Sequence, residues 1–321
     1  MGAVNWTDVA FVFPGQGSQH VGMGKEIYDS SVAAQRIFVE AEQVLGLDLR
    51  RLCFEGPEDE LTDTVNAQPA ILTASIACLE AFREKCASLG ISPQPHFVAG
   101  HSLGEYSALV AADALRFQDA VALVRERGRL MKEAGDMFPG GMAAVMGLDN
   151  TSLQQACDQA SSHGAVVIAN YNSPGQTVIS GENAALGEAI RLASAAGARR
   201  AVRLAVSIAA HSPLMRHASD QFAKAVLSCE IAEARPPLVA NVSANPITGA
   251  EEIKTELIDQ LCSAVRWEQS VAQMVERGTT LFLEIGPGQV LSGLVKRITK
   301  EARASNISDV KSLEETLSLF A

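Results

Sequence analysis

The sequence predicts an α/β protein: a larger unit built on a parallel sheet, with a small ferredoxin-like subdomain inserted into it. Two observations carry this. Short, wholly apolar runs at Val9–Phe13 and Phe97–Ala99 each lead into a glycine-containing turn, the pattern of strands buried on both faces. After Pro139-Gly140-Gly141 the pattern changes to strand (142–148), helix (151–162), strand (165–171), strand (177–180), helix (183–196) and strand (199–206). That β-α-β-β-α-β order is the ferredoxin-like arrangement. The expected division is therefore a discontinuous core, 1–137 and 208–321, around an insert at 138–207.

The first strand runs into Pro14-Gly15-Gln16-Gly17-Ser18-Gln19. A dinucleotide fingerprint fails there, because His20 stands where a third glycine is needed, and no phosphate-binding Gly-x-x-x-x-Gly-Lys-Ser/Thr loop exists. Between about 26 and 90 the chain reads as helices broken at Gly56-Pro57, with one starting at Pro69 and nearly all-round apolar from Ala70 to Leu79.

The second strand leads into Gly100-His101-Ser102-Leu103-Gly104, after which Leu103, Tyr106 and Val110 fall at helical spacing. Gly-x-Ser-x-Gly between strand and helix is the pattern of a nucleophile elbow. The glycines permit a sharp turn that lifts the serine oxygen clear of the sheet, and free N–H groups at the helix start point to the same place. A glycine-flanked helix cap is the plainer alternative.

A helix at about 118–134 carries Arg125, Arg127 and Arg129. Helical neighbours of Arg129 are charged, whereas those of Arg127 are Leu123, Val124, Leu130 and Met131. Arginine on an apolar stripe either snorkels to water, pairs with a structural carboxylate, or waits for an anionic ligand. His211 lies in a loop after the last insert strand and before Pro213, a placement open to either a structural or a catalytic role.

Composition narrows the classes. The chain has 321 residues, a formal net charge of −11 and 47% hydrophobic residues, which describes a globular protein and argues against a nucleic-acid partner. No membrane span, signal peptide or myristoylation pattern is read, so no membrane partner is expected. Six cysteines without Cys-x-x-Cys pairing read as reduced thiols, hence a cytoplasmic location and no metal site.

Together these pieces resemble the malonyl-CoA:acyl carrier protein transacylase family. The markers are Phe13-Pro-Gly-Gln-Gly-Ser-Gln19, Gln68-Pro-Ala70, Gly100-His-Ser-Leu-Gly-Glu-Tyr-Ser107, Arg127-Gly128, Asn172-Ser-Pro-Gly175, His211-Ser-Pro-Leu-Met215 and Gly286-Pro-Gly288, in the family's order. The resemblance implies an α/β-hydrolase-like core with a ferredoxin-like insert, and ping-pong acyl transfer from malonyl-CoA to acyl carrier protein. By it Ser102 is the nucleophile and His211 the general base. Arg127 grips the substrate carboxylate, backbone N–H groups of Gln16 and Leu103 form the oxyanion hole, and His101 adjoins the substrate. No cofactor beyond the CoA thioester substrate is implied, and a monomer is expected. A main-chain carbonyl near the residue before Trp267 is expected to orient the histidine, with Arg266 standing where many members carry Gln. Ala210 precedes the histidine where malonyl-selective polyketide relatives often carry Phe. Two basic clusters, Arg199/Arg200/Arg203 and Lys296/Arg297/Lys300, are the candidate carrier-docking patch. The rival readings are a trans-acting acyltransferase or acyl-thioester hydrolase serving a polyketide synthase, which the serine and histidine would serve equally, and a non-catalytic docking protein, against which the elbow, arginine and histidine together argue.

Overall fold

The computed structural model describes residues 5–320. Its strands are β1 (Val9–Phe13), β2 (Phe97–Gly100), β3 (Gly140–Met146), β4 (Val166–Ser173), β5 (Gln176–Glu182), β6 (Arg200–Arg203), β7 (Leu238–Val239), β8 (Pro246–Ile247), β9 (Leu281–Ile285) and β10 (Arg303–Ile307). They form two sheets, in the orders β10-β9-β1-β2-β7-β8 and β4-β5-β3-β6. In the first, every pairing is parallel except β7 with β8. This is the α/β class expected from the sequence.

Strand β1 shows why the core has two faces. All five of its residues are buried. Val9, Phe11 and Phe13 join the large cluster built on the Thr64–Ser88 helix, while Ala10 and Val12 pack with Trp267, Val271 and Met274 on the other side. Parallel register sets Phe13 beside Gly100, so the loop after β1 and the elbow after β2 leave the same edge of the sheet. In open parallel sheets that carboxyl edge is where ligands bind.

The turn after β2 is too tight for side chains at its flanks. A Cβ on Gly100 would lie 1.9 Å from the carbonyl carbon of Gly104, and one on Gly104 would lie 2.1 Å from the Phe13 carbonyl oxygen. Between them Ser102 takes φ 51°, in the left-handed region that L-residues avoid.

The second sheet is wholly antiparallel. The Asn150–Ala160 and Asn183–Ala195 helices cover one face through Leu153, Leu186, Ile168 and Ile179. The backbone of its edge strand β4 is tied to the core at Val265. Val265 N–H donates to the Ala169 carbonyl (2.8 Å), and the Val265 carbonyl accepts from Tyr171 N–H (2.9 Å).

Two expectations need correction. Pro69 does not start a helix; it sits inside the Thr64–Ser88 helix, whose start is capped by Asp63. Proline at 69 removes the N–H that would bond the Val65 carbonyl, and Arg125 Nη1 donates to that carbonyl instead (2.9 Å). Strand β6 ends at Arg203, short of 206, after which only Leu204 N–H still bonds the sheet, at the Met142 carbonyl.

The elbow gives a stability prediction. Gly100→Ala forces a Cβ into backbone atoms that cannot move aside, so the variant should lose about 3 kcal/mol or more. Thermal unfolding checks this; a wild-type Tm would mean the turn has room.

Candidate active site

Ser102, His211 and Arg127 come from three separate segments and meet at one oxygen. Ser102 Oγ lies 2.8 Å from His211 Nε2 and accepts from Arg127 Nη2 at 3.0 Å. His211 Nδ1 faces two carbonyls, those of Gln260 (2.8 Å) and Ser263 (3.1 Å). Carbonyls only accept, so the ring proton resides on Nδ1, and the Nε2 lone pair faces the serine hydroxyl. His211 is 4% exposed, at φ 59°. Burial first, and the Arg127 charge second, push its pKa down to about 3. The imidazole is thus neutral, the state a general base needs.

The orienting carbonyls lie upstream of the place expected. They belong to Gln260 and Ser263, not to the immediate neighbours of Trp267. Arg266 instead stacks over the Tyr171 ring (5.8 Å), and its N–H bonds the Asn241 carbonyl.

Arg127 does not snorkel: it is 1% exposed. Nη1 donates to Gln68 Oε1 and Nη2 to Gln260 Oε1, each at 2.9 Å, and the guanidinium lies 5.7 Å from the Tyr106 ring centre. Its Nε has no partner among the described residues. Burial lowers its pKa, yet guanidinium stays charged in proteins. Every side-chain oxygen it bonds is neutral. The Gln68 amide in turn donates to Thr64 Oγ1 (3.0 Å), and Thr64 donates to Gln16 Oε1 (2.9 Å), which links the arginine to the loop after β1.

The backbone N–H groups of Gln16 and Leu103 have no acceptor among the described residues, as donors reserved for a developing oxyanion require. His101 is held beside the elbow: its Nε2 pairs with Asn172 Oδ1 at 2.8 Å, and burial lowers its pKa.

Sequence reasoning missed three supports. Asn241, buried in the loop after β7, accepts from Ser102 N–H (2.7 Å) and donates to the Gly100 carbonyl (2.7 Å), clamping both sides of the elbow. Gln260 donates to the Ser102 carbonyl (3.0 Å) while it holds Arg127. Gln68 was visible in a motif but carried no role. Asn241 and Gln260 sit in stretches with no motif of their own; being polar among apolar neighbours was their one signal.

The family model for the acyl transferase domain matches residues 10–315. The chain belongs to this family. It is 49% identical over 307 residues to the malonyl CoA-acyl carrier protein transacylase of Bacillus subtilis, with 95% of each chain covered. Identity to the transacylase of the same description from Escherichia coli K12 is 41% over 313 residues, 98% of this chain and 100% of that one. A solved structure of a type II PKS acyl-carrier protein in complex with its malonyl-transacylase matches at a TM-score of 0.93 and 42% identity, over 97% of this chain and 99% of that one. The resemblance read from the motifs is borne out.

For this acyl transferase the buried dyad predicts a pH-silent histidine. Imidazole ¹⁵N NMR of the unliganded enzyme should report a neutral Nδ1–H tautomer for His211 throughout about pH 5 to 8. A midpoint near the ordinary value, about 6.5, would contradict the burial argument.

Proposed function

We propose that this chain transfers a malonyl group from malonyl-CoA to the phosphopantetheine thiol of acyl carrier protein through a malonyl-serine intermediate. In the first half, His211 Nε2 takes the Ser102 hydroxyl proton as Oγ attacks the thioester carbonyl. The N–H groups of Gln16 and Leu103 hold the oxyanion. Collapse breaks the C–S bond, and the proton passes from His211 to the departing CoA sulfur. In the second half the carrier thiol gives its proton to His211 and attacks the malonyl-serine carbonyl, and Ser102 recovers the proton as it leaves. One thioester replaces another, so neither a metal nor a redox group is needed. All these groups belong to one chain, so a monomer suffices. We place the reaction in the cytoplasm, where six unpaired thiols stay reduced. Among the described residues, no helix is long and apolar enough to cross a membrane.

The observation that carries this reading is Arg127. Its guanidinium lies 3.0 Å from Ser102 Oγ, buried, with neutral partners. In a malonyl-serine the free carboxylate is only one methylene beyond the ester carbonyl, so it falls within reach of a cation placed against Oγ. There it forms a desolvated, charge-assisted contact. A hydrolase of plain acyl groups would carry this buried charge to no purpose. His101, held by Asn172, is the remaining side chain we place against the substrate.

Register supports the docking patch. Arg200 pairs with Met146, which pairs with Gln176, so the three lie in one row across β6, β3 and β5. Arg297 Nη1 donates to Gln176 Oε1, which brings Arg297 of the second basic cluster to the end of the same row. All six basic residues are exposed, and no carboxylate among the described residues forms an ion pair with any of them.

Arg127→Ala should cut malonyl kcat/KM by roughly 10²-fold or more, and acetyl-CoA should improve relative to malonyl-CoA. Intact-protein mass spectrometry should still show acylation in that variant and none in Ser102→Ala. An unchanged malonyl-to-acetyl ratio would make Arg127 structural. Charge reversal at both basic clusters should raise the carrier KM, on the order of tenfold, with less effect on malonyl-CoA acylation. An unchanged carrier KM would place docking elsewhere.

A further inference from the structure

Glu105 is a fully buried carboxyl (0% exposed) on the first turn of the Gly104–Ala111 helix, and no cation among the described residues forms an ion pair with it. Such a group is costly, and the reaction as written makes no use of it. Its two oxygens face different parts of the site. Oε1 accepts from Asn241 N–H at 2.6 Å, and Oε2 accepts from Gln260 Nε2. Asn241 is the residue that clamps the elbow, and Gln260 is the one that bonds Arg127 through Oε1 and His211 through its main-chain carbonyl.

We propose that Glu105 is a positioning residue for substrate selection: its carboxyl fixes which way the Gln260 amide faces, and thereby presents an oxygen to Arg127. A side-chain amide has an acceptor end and a donor end, and Gln260 sits among three neighbours that divide between them: Arg127 on the oxygen, Glu105 and the Ser102 carbonyl on the NH2 group. Arg127 offers only N–H groups and needs the oxygen. Glu105 accepts on Oε2 and needs the NH2 group. If the amide turned over, its NH2 would face the guanidinium donor to donor, and its oxygen would face the carboxyl oxygen. Glu105 therefore holds the arginine without touching it.

A second carboxyl backs this arrangement. Glu256 accepts from Val242 N–H (2.8 Å) next to Asn241, and burial raises both carboxyl groups above their ordinary range, Glu256 to about 6, with the neighbouring Glu256 charge adding to the rise at Glu105. A proton lying between the two carboxyls still leaves both Glu105 oxygens a lone pair for Asn241 and Gln260.

Glu105→Gln tests the idea because it keeps the shape and removes one acceptor. The new amide can satisfy Asn241 N–H or Gln260, not both. The backbone N–H is fixed, so the Gln260 NH2 then meets a donor, is left to the Ser102 carbonyl alone, and is pushed out of line, which loosens the Gln260 oxygen from Arg127. This inference rests on Arg127 holding the malonyl carboxylate, so Arg127→Ala is measured alongside. The expected result is a malonyl-to-acetyl kcat/KM ratio reduced about tenfold by Glu105→Gln in the wild-type background, and by less than about twofold when Arg127 is already Ala. Equal losses for both substrates, no change in the ratio, or the same shift in both backgrounds would each overturn the proposal. If Arg127→Ala alone leaves the ratio unmoved, the carboxylate assignment has failed and the proposal falls with it. Should Glu105→Gln not fold, Gln260→Leu removes the same amide with Glu105 in place. It should give the same shift toward acetyl, and an unmoved ratio there would equally overturn the proposal.

Discussion

A guanidinium buried among neutral acceptors is the constraint on which this site depends. Removing a full charge from water costs several kcal/mol even after the surroundings relax. Here that cost is offset by Gln68, Gln260, Ser102 and the face of Tyr106, none of which cancels the charge. A carboxylate in direct contact would stabilise Arg127 more, and it would also occupy the position a carboxylate ligand must take. Glu105 stands one amide away, where it orders an acceptor of the guanidinium without touching it. Burial first, and the same positive charge second, keep His211 unprotonated. One buried cation thus contributes to substrate choice and to the protonation state of the base.

The fold delivers these groups through its least regular parts. Strands β1 and β2 end side by side, and the elbow and the glycine loop inherit that register. Ser102 and His211 both take positive φ, at 51° and 59°. Two strained residues facing each other across 2.8 Å persist only if their surroundings hold them. Asn241 does so for the serine, and the Gln260 and Ser263 carbonyls do so for the histidine. The strain is local; the restraint comes from distant parts of the chain.

Legibility in the sequence followed this division. Gly100 and Gly104 marked the elbow because their positions forbid side chains, and Arg127 stood out because an apolar stripe should not hold a cation. Both signals are local and follow from sterics or helical period. Asn241, Gln260 and Glu105 act through side-chain contacts across 133 to 158 positions of chain, and no local pattern encodes such pairings. Pro69 misled for a related reason: the side chain that satisfies the carbonyl it frees comes from Arg125, on another helix. The histidine's carbonyl partners were misplaced because a main-chain acceptor leaves no trace in residue identity.

The seam at Val265 bears on how such enzymes can be recombined. Two hydrogen bonds from this residue close the free edge of β4, and the loop that carries it also carries the carbonyls of Gln260 and Ser263. The small sheet and the histidine therefore share a fastening. A chimera made by cutting only at the two covalent crossings would leave this third strip of chain behind in the host. The transplanted sheet would then meet a strip shaped for another edge, and the mismatch would be felt at the imidazole, not at the splice points. The transplantable unit is the sheet together with its detached hem.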